Sequence, residues 1–143
     1  MTRVDFYVLS DTETHSRLDL ICRLADKAMG HGQRVFIYSR DKALLRQLDN
    51  KLWDFRALSF AAHRFVESNS SMLEHDDPII LSSAEPGFDR TVLVNLDDTV
   101  PTFFSRFERA LEVVNRQPEI QKPGRERYLF YKQRGYPLQH HPV

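Results

Sequence analysis

An α/β fold, with a single open and mainly parallel sheet and helices on both faces, is the architecture this chain predicts. Three observations carry that reading. Short β-branched and aromatic runs recur at residues 4–9 (VDFYVL), 35–38, 79–82 and 92–96. Segments with apolar residues at helical spacing alternate with the first of them. The later runs are continuously apolar rather than alternating, as strands buried on both faces of a parallel sheet must be. At 143 residues the chain suits one domain with its own core, since domains commonly run to about 100–150 residues. The expected bounds are 1–138, with residues 139–143 as a flexible C-terminal tail.

Taken in order, residues 4–9 form a first strand that ends at Ser10-Asp11, a turn pair. Residues 16–29 place Leu18, Ile21, Leu24, Ala25 and Ala28 on one helical stripe, and Gly30-His31-Gly32 stops that helix. A second strand over 35–38 leads into Ser39 and Asp41, caps for a helix carrying Leu44, Leu45, Leu48 and Leu52. Residues 53–65 (WDFRALSFAAHRF) match neither period cleanly. Their cluster of Trp53, Phe55, Phe60 and Phe65 reads as core or as an exposed aromatic interface. Residues 67–77 read as an acidic connecting loop, followed by strands at 79–82 and 92–96. Residues 102–115 are expected to be helical, with Phe103, Phe104, Phe107, Ala110, Leu111 and Val114 on the apolar side. Pro118 and Pro123 separate that helix from a last one over 125–134, which Pro137 ends.

Composition excludes several classes. The chain is 41% hydrophobic and 28% charged, and it holds no apolar run near the ~20 residues that span a bilayer. Residues 1–10 include Arg3 and Asp5 and lack an apolar core with a small-residue cleavage site, so the chain reads as cytoplasmic. Cys22 is the one cysteine; no internal disulfide or multi-cysteine zinc site can form, and no His or carboxylate is placed to activate the thiol. Twenty basic and twenty acidic residues balance, but unevenly: residues 67–98 hold eight acids and one arginine, whereas residues 116–134 hold six cations and two acids. A zero net charge argues against gripping many phosphates, while the basic end suits an acidic partner.

A search for chemistry fails at each step. Gly30-His31-Gly32 lies between a helix end and a strand, not between a strand and a helix N-terminus where a phosphate fingerprint belongs. Asp97-Asp98 stands at a strand end, suited to magnesium, yet without a phosphate cradle; the pair reads as caps or turn formers. A degenerate magnesium-dependent nucleotide-binding or hydrolase-like enzyme using Asp97 and Asp98 remains the alternative. The six histidines show no metal-ligand spacing, no cofactor is expected, and no nucleophile elbow is present.

The richest segment is 124–135 (GRERYLFYKQRG). On a helix, Arg125, Tyr128 and Lys132 fall at i, i+3 and i+7, offering a guanidinium fork, a ring and an ammonium on one face. That face suits an acidic peptide with an apolar end, each charge-assisted bond contributing roughly 1.5–3 kcal/mol. The plainer reading docks the tyrosines on the core and leaves the cations in water. A third lets the basic, aromatic face stack single-stranded DNA directly, which the balanced charge disfavours.

The stretches VDFYVL, GHGQRVFIYSRD, LDNKLWDFRALSFAAHRF, PIILSS with VLVNLDDTVPTFF, and GRERYLFYKQRG together make the chain similar, over nearly its whole length, to the chi subunit of bacterial DNA polymerase III holoenzyme. The resemblance implies a nucleotide-binding-like α/β fold without a phosphate loop and no catalysis of its own within a DNA-directed DNA polymerase complex. It implies a tether in DNA replication, a clamp-loader accessory subunit at the replisome in the bacterial cytoplasm. One side would bind the psi subunit, as a 1:1 heterodimer or from a monomer, and the other the acidic C-terminal tail of single-stranded DNA-binding protein, with contact to DNA only indirect. Residue by residue, the R-E-R-Y motif puts tail contacts on Arg125 and Tyr128. The preceding basic position falls on Lys122 or Gln121, with Lys122 preferred for its charge and Lys132 as a further attractor of acids. Trp53 and Phe60 match the psi-facing region.

Overall fold

Seven strands, every neighbouring pair parallel, form one sheet in the order β3-β4-β2-β5-β6-β1-β7. The computed structural model describes residues 1–55, 63–66, 77–86 and 91–143. Along the chain run β1 (Arg3–Val8), α1 (Thr14–Gly30), β2 (Val35–Tyr38), α2 (Lys42–Asp54), β3 (His63–Val66), β4 (Ile79–Ser82) and β5 (Val92–Asn95). A 3-10 turn (Phe104–Arg106), β6 (Arg109–Val114), α3 (Pro118–Gln133) and β7 (Leu138–Pro142) complete it.

Helices cover both faces, as the continuous apolar strands require. On one face Leu18, Ile21, Ala25 and Ala28 of α1 and Leu45, Leu48 and Leu52 of α2 pack on Val35, Ile37, Ile79, Leu81, Val92, Val94, Leu111 and Val113. On the other, Tyr131 of α3 joins Phe103, Phe104 and Phe107 over Val4, Phe6, Phe36, Ile80, Leu93 and Ala110. Cys22 is fully buried in the first layer, and burial pushes its thiol up to about 11. Asp41 caps α2 by accepting from the Leu44 N–H at 3.1 Å. The glycine at 32 does stop α1: with φ at 74° its N–H donates to the Met29 carbonyl and that of Gln33 to Ala28, closing the last turn as a Schellman motif.

Three expectations are overturned. Residues 102–115 are not a helix but the 3-10 turn followed by strand β6, which lies between β5 and β1. The phenylalanines at 103, 104 and 107 imitate helical spacing, yet Leu111 and Val113 face one core layer and Ala110 the other, a period of two in a strand wanted on both faces. Asp97 and Asp98 therefore cap no helix there; Asp97 instead organises a turn, accepting from the Thr99 hydroxyl at 3.0 Å. The last helix starts at Pro118, where the missing N–H costs nothing, and runs through Pro123. Its Gly124 packs so closely on β6 that an added Cβ would lie 2.8 Å from Val114 Cγ1, so the Pro-Gly pair marks close packing rather than a break.

The C-terminus forms a strand. Residues 139–143, expected to be loose, contribute to the edge strand β7, paired with β1 from Val4↔Leu138 to Val8↔Pro142. Gly135, with φ at 77°, turns the chain out of α3 by a second Schellman closure, Tyr136 N–H to Tyr131 carbonyl. His141 then stacks on Tyr7 with centroids 4.6 Å apart and its Nε2 lies 2.9 Å from the buried Asp5 carboxylate, which Arg109 also holds at 3.0 Å. Those contacts offset the ordering entropy that would otherwise leave a terminus frayed.

One buried polar group ties β5, β6 and α3. Glu112, fully buried on β6, accepts from Arg127 Nε, Tyr131 hydroxyl and Asn95 Nδ2, each at 2.9 Å. Burial first, then the Glu112 charge, raise the Tyr131 hydroxyl far above its ordinary value, so it stays a donor. Glu112→Ala strands a buried guanidinium and is expected to lower the unfolding free energy by ~3–5 kcal/mol, measured by chemical denaturation; a loss under ~1 kcal/mol would show that water satisfies Arg127 instead.

Candidate functional site

Helix α3 divides its side chains by rotation. Gly124, Arg127 and Tyr131 are buried against the sheet. The adjoining stripe of Gln121, Arg125 and Tyr128 lines a groove of about 290 Å³ with Phe6 and Val8 of β1, Val114 and Asn115 at the end of β6, and His140 of β7. Tyr128 is half-buried and meets Phe6 edge-on at 5.2 Å between centroids. The groove thus has an apolar bed and an exposed guanidinium at its edge. Among the described residues Arg125 has no carboxylate partner. Asn115 adds a second donor: it is 1% exposed, its Oδ1 accepts from the Gln117 N–H, and its Nδ2 is buried without a protein acceptor.

Of the expected tail-binding residues, Arg125 and Tyr128 come together here, while Lys122 and Lys132 are exposed on α3 outside the groove lining. Gln121, the alternative to Lys122, is the one that faces the groove. Asn115 carries no signal in the sequence, and Gly124 and His140 figure there only as the start of segment 124–135 and as one of six histidines without metal-ligand spacing. Starting α3 at Pro118 would have exposed the Gln121, Arg125, Tyr128 stripe at i, i+4 and i+7, but the strand ends of β6 and β7 could not be paired with it from sequence. The basic segment also splits: Arg127 is 4% exposed and committed to Glu112, and Arg134 sits 4.1 Å over the Phe130 ring. Tyrosine docking and a free cationic edge therefore coexist on one helix.

Trp53 ends α2 and is 53% exposed, its ring 4.1 Å from that of His63. A solvent-exposed indole at a helix end is surface, not core. Phe55 and Phe65 are partly buried against the α1 and α2 layer. Phe60 lies outside the described residues, as do residues 67–76 of the expected acidic loop.

Comparison with known proteins shows the family. The family model described as DNA polymerase III chi subunit, HolC, matches residues 1–139. The DNA polymerase III subunit chi of Pseudomonas aeruginosa is 39% identical over 142 residues, covering 99% of this chain and 96% of that protein. The chain belongs to the DNA polymerase III chi subunit family. The Haemophilus influenzae DNA polymerase III subunit chi is 24% identical over 135 residues, covering 93% of this chain and 92% of its own length. No helix among the described residues of this chi-family chain is long and apolar enough to cross a membrane.

At the carboxyl ends of the strands, Asp97 of this chi-family chain is 6% exposed and accepts a bifurcated bond from Arg40 Nε, 3.2 and 3.1 Å from its two oxygens, and one from the Arg40 backbone N–H at 2.9 Å. Both oxygens are thus occupied by protein donors, and Asp98 is exposed beside it. Among the described residues no three His, Cys, Asp or Glu side chains gather as metal ligands. Burial alone would push Asp97 up, but hydrogen bonds from Arg40 and Thr99 outweigh it and hold the carboxyl below its ordinary range. A depressed folded value means the stabilisation is fully present above the ordinary Asp pKa of ~3.9 and is lost as pH falls through the lower folded value. Melting of the wild type and Asp97→Asn between pH 7 and 2.5 should therefore show a gap that is widest at neutral pH and closes in acid; a gap constant with pH would contradict this.

Proposed function

We propose that this chi-family subunit of DNA polymerase III joins two partners, the acidic C-terminal tail of single-stranded DNA-binding protein in the α3 groove and the psi subunit of the clamp loader at the Trp53 surface. The observation that carries the first half is the groove itself. An apolar bed of Phe6, Val8, Val114 and Tyr128 receives the apolar end of a peptide, and Arg125 clasps its terminal carboxylate with two parallel N–H donors. The unpartnered Asn115 amide supplies a further donor to an acceptor of the peptide. Lys122 and Lys132, exposed on the same helix, draw the upstream acids by long-range attraction rather than by contact.

A disordered tail is ordered on binding, so micromolar affinity that weakens with salt is the expected regime. Arg125 is exposed and outside the core, so Arg125→Ala should melt like the wild type while binding a tail peptide about 10–100-fold more weakly. Titration calorimetry measures this, and unchanged affinity would remove Arg125 from the contact.

The psi half rests on the half-exposed Trp53 and on the place of Phe60 in the same aromatic stretch. An exposed aromatic at a helix end is the kind of anchor that interfaces cover. Adding psi should shift Trp53 emission to the blue and reduce its quenching by acrylamide. Emission that stays unchanged in a complex verified by sedimentation would put psi on another surface.

A further inference from the structure

A second cavity, sharing no lining residue with the groove, opens at the carboxyl ends of β2 and β5 and encloses about 560 Å³. That volume suits a small molecule, for which pockets of roughly 300–1,000 Å³ are usual, and its place outside the strand ends is where open α/β sheets receive ligands. Arg17 from the first turn of α1 and Arg127 from α3 both line it. Arg17 is only 6% exposed, and its Nε donates to the Val113 carbonyl at 2.9 Å. Among the described residues its Nη groups have no acceptor and no carboxylate forms an ion pair with it.

Arg127 commits Nε to Glu112 and Nη1 to the Asp98 carbonyl, leaving Nη2. Burial first, and then the neighbouring Arg127 charge, bring Arg17 down to about 10 against the opposing pull of Glu112 and Asp98. Among the buried groups two guanidiniums therefore share one carboxylate, Glu112, with Asp97 held by Arg40, while the other acids of the lining, Asp41, Asp98 and Glu119, are exposed to water. A guanidinium this deep with only a shared carboxylate is costly, and its bond to the Val113 carbonyl uses Nε alone.

We propose that this cleft binds the phosphate group of a small phosphorylated molecule, with the Arg17 fork on its oxygens and Arg127 beside it. A phosphomonoester carries about 1.5–2 negative charges at neutral pH, enough to compensate the surplus buried guanidinium, and its tetrahedral oxygens accept from the two Nη groups of Arg17 and from the remaining Nη2 of Arg127, on different helices. The exposed Asp98 at the rim accepts from hydroxyls on the rest of such a molecule.

Amide NMR spectra of the whole chain, titrated at constant ionic strength with inorganic phosphate, adenosine monophosphate and adenosine, test this. Expected are saturable shifts at Thr14, Arg17 and Asp98 with the first two ligands and none with adenosine. Tighter binding of the nucleotide would identify a phosphorylated metabolite, and equal binding would identify free phosphate. Arg17→Met, which keeps the apolar stem, should weaken both at least tenfold; if it does not fold, Arg17→Lys, a point charge in place of a fork, should weaken them measurably. The proposal is overturned by no saturable shift, by shifts confined to Lys122 and Arg125 on α3, by adenosine binding as well as its monophosphate, or by wild-type affinity in the Arg17 variant.

Discussion

The rotation of α3 about its own axis depends on one buried carboxylate. Glu112 sits in the middle of the sheet and receives a guanidinium and a phenol from α3 and an amide from β5. Two of those donors lie one turn apart on the helix, so both can be satisfied in only one rotational setting. A half-satisfied buried network would cost more than an apolar core, which makes the setting specific rather than approximate. Gly124 adds a steric condition, since it brings the same helix face against Val114.

That setting decides what the helix shows to solvent. With Gly124, Arg127 and Tyr131 turned inward, the neighbouring stripe of Gln121, Arg125 and Tyr128 is brought over the ends of β1 and β6. The C-terminal strand then closes the far side. Its attachment through His141, Asp5 and Arg109 places His140 in the groove wall, so residues that carry no obvious signal complete the site. The same inward turn delivers Arg127 to the opposite cleft, beside Arg17. One helix orientation thus builds two cavities of different character, one apolar with a free cation and one polar at the strand ends.

Much of the fold was legible because parallel strands buried on both faces leave a simple trace. Residues 35–38, 79–82 and 92–95 are short apolar runs bounded by turn residues, and α1 and α2 have single apolar stripes with a Gly stop and an Asp cap. Residues 102–115 misled because three phenylalanines before a strand happen to fall at helical spacing, and strand identity came from lateral pairing with β5 and β1. The terminus misled for the same reason: LQHHP has little strand propensity, and its order comes from contacts with distant Asp5 and Tyr7.

The sequence by itself determined the α/β class, the stop of the first helix at Gly30-His31-Gly32, the family, and the pairing of a cation with a ring at Arg125 and Tyr128. These follow from local geometry and residue chemistry, which linear spacing records. Only the tertiary structure decided that Arg127 is a core residue while Arg125 is a surface one, that Gln121 and not Lys122 faces the groove, and that Arg17 lies buried without an ion-pair partner among the described residues. Arginines two positions apart differ in fate because a helix turns about 200° between them, and which of the two faces inward is set by Glu112 on the strand beneath the helix.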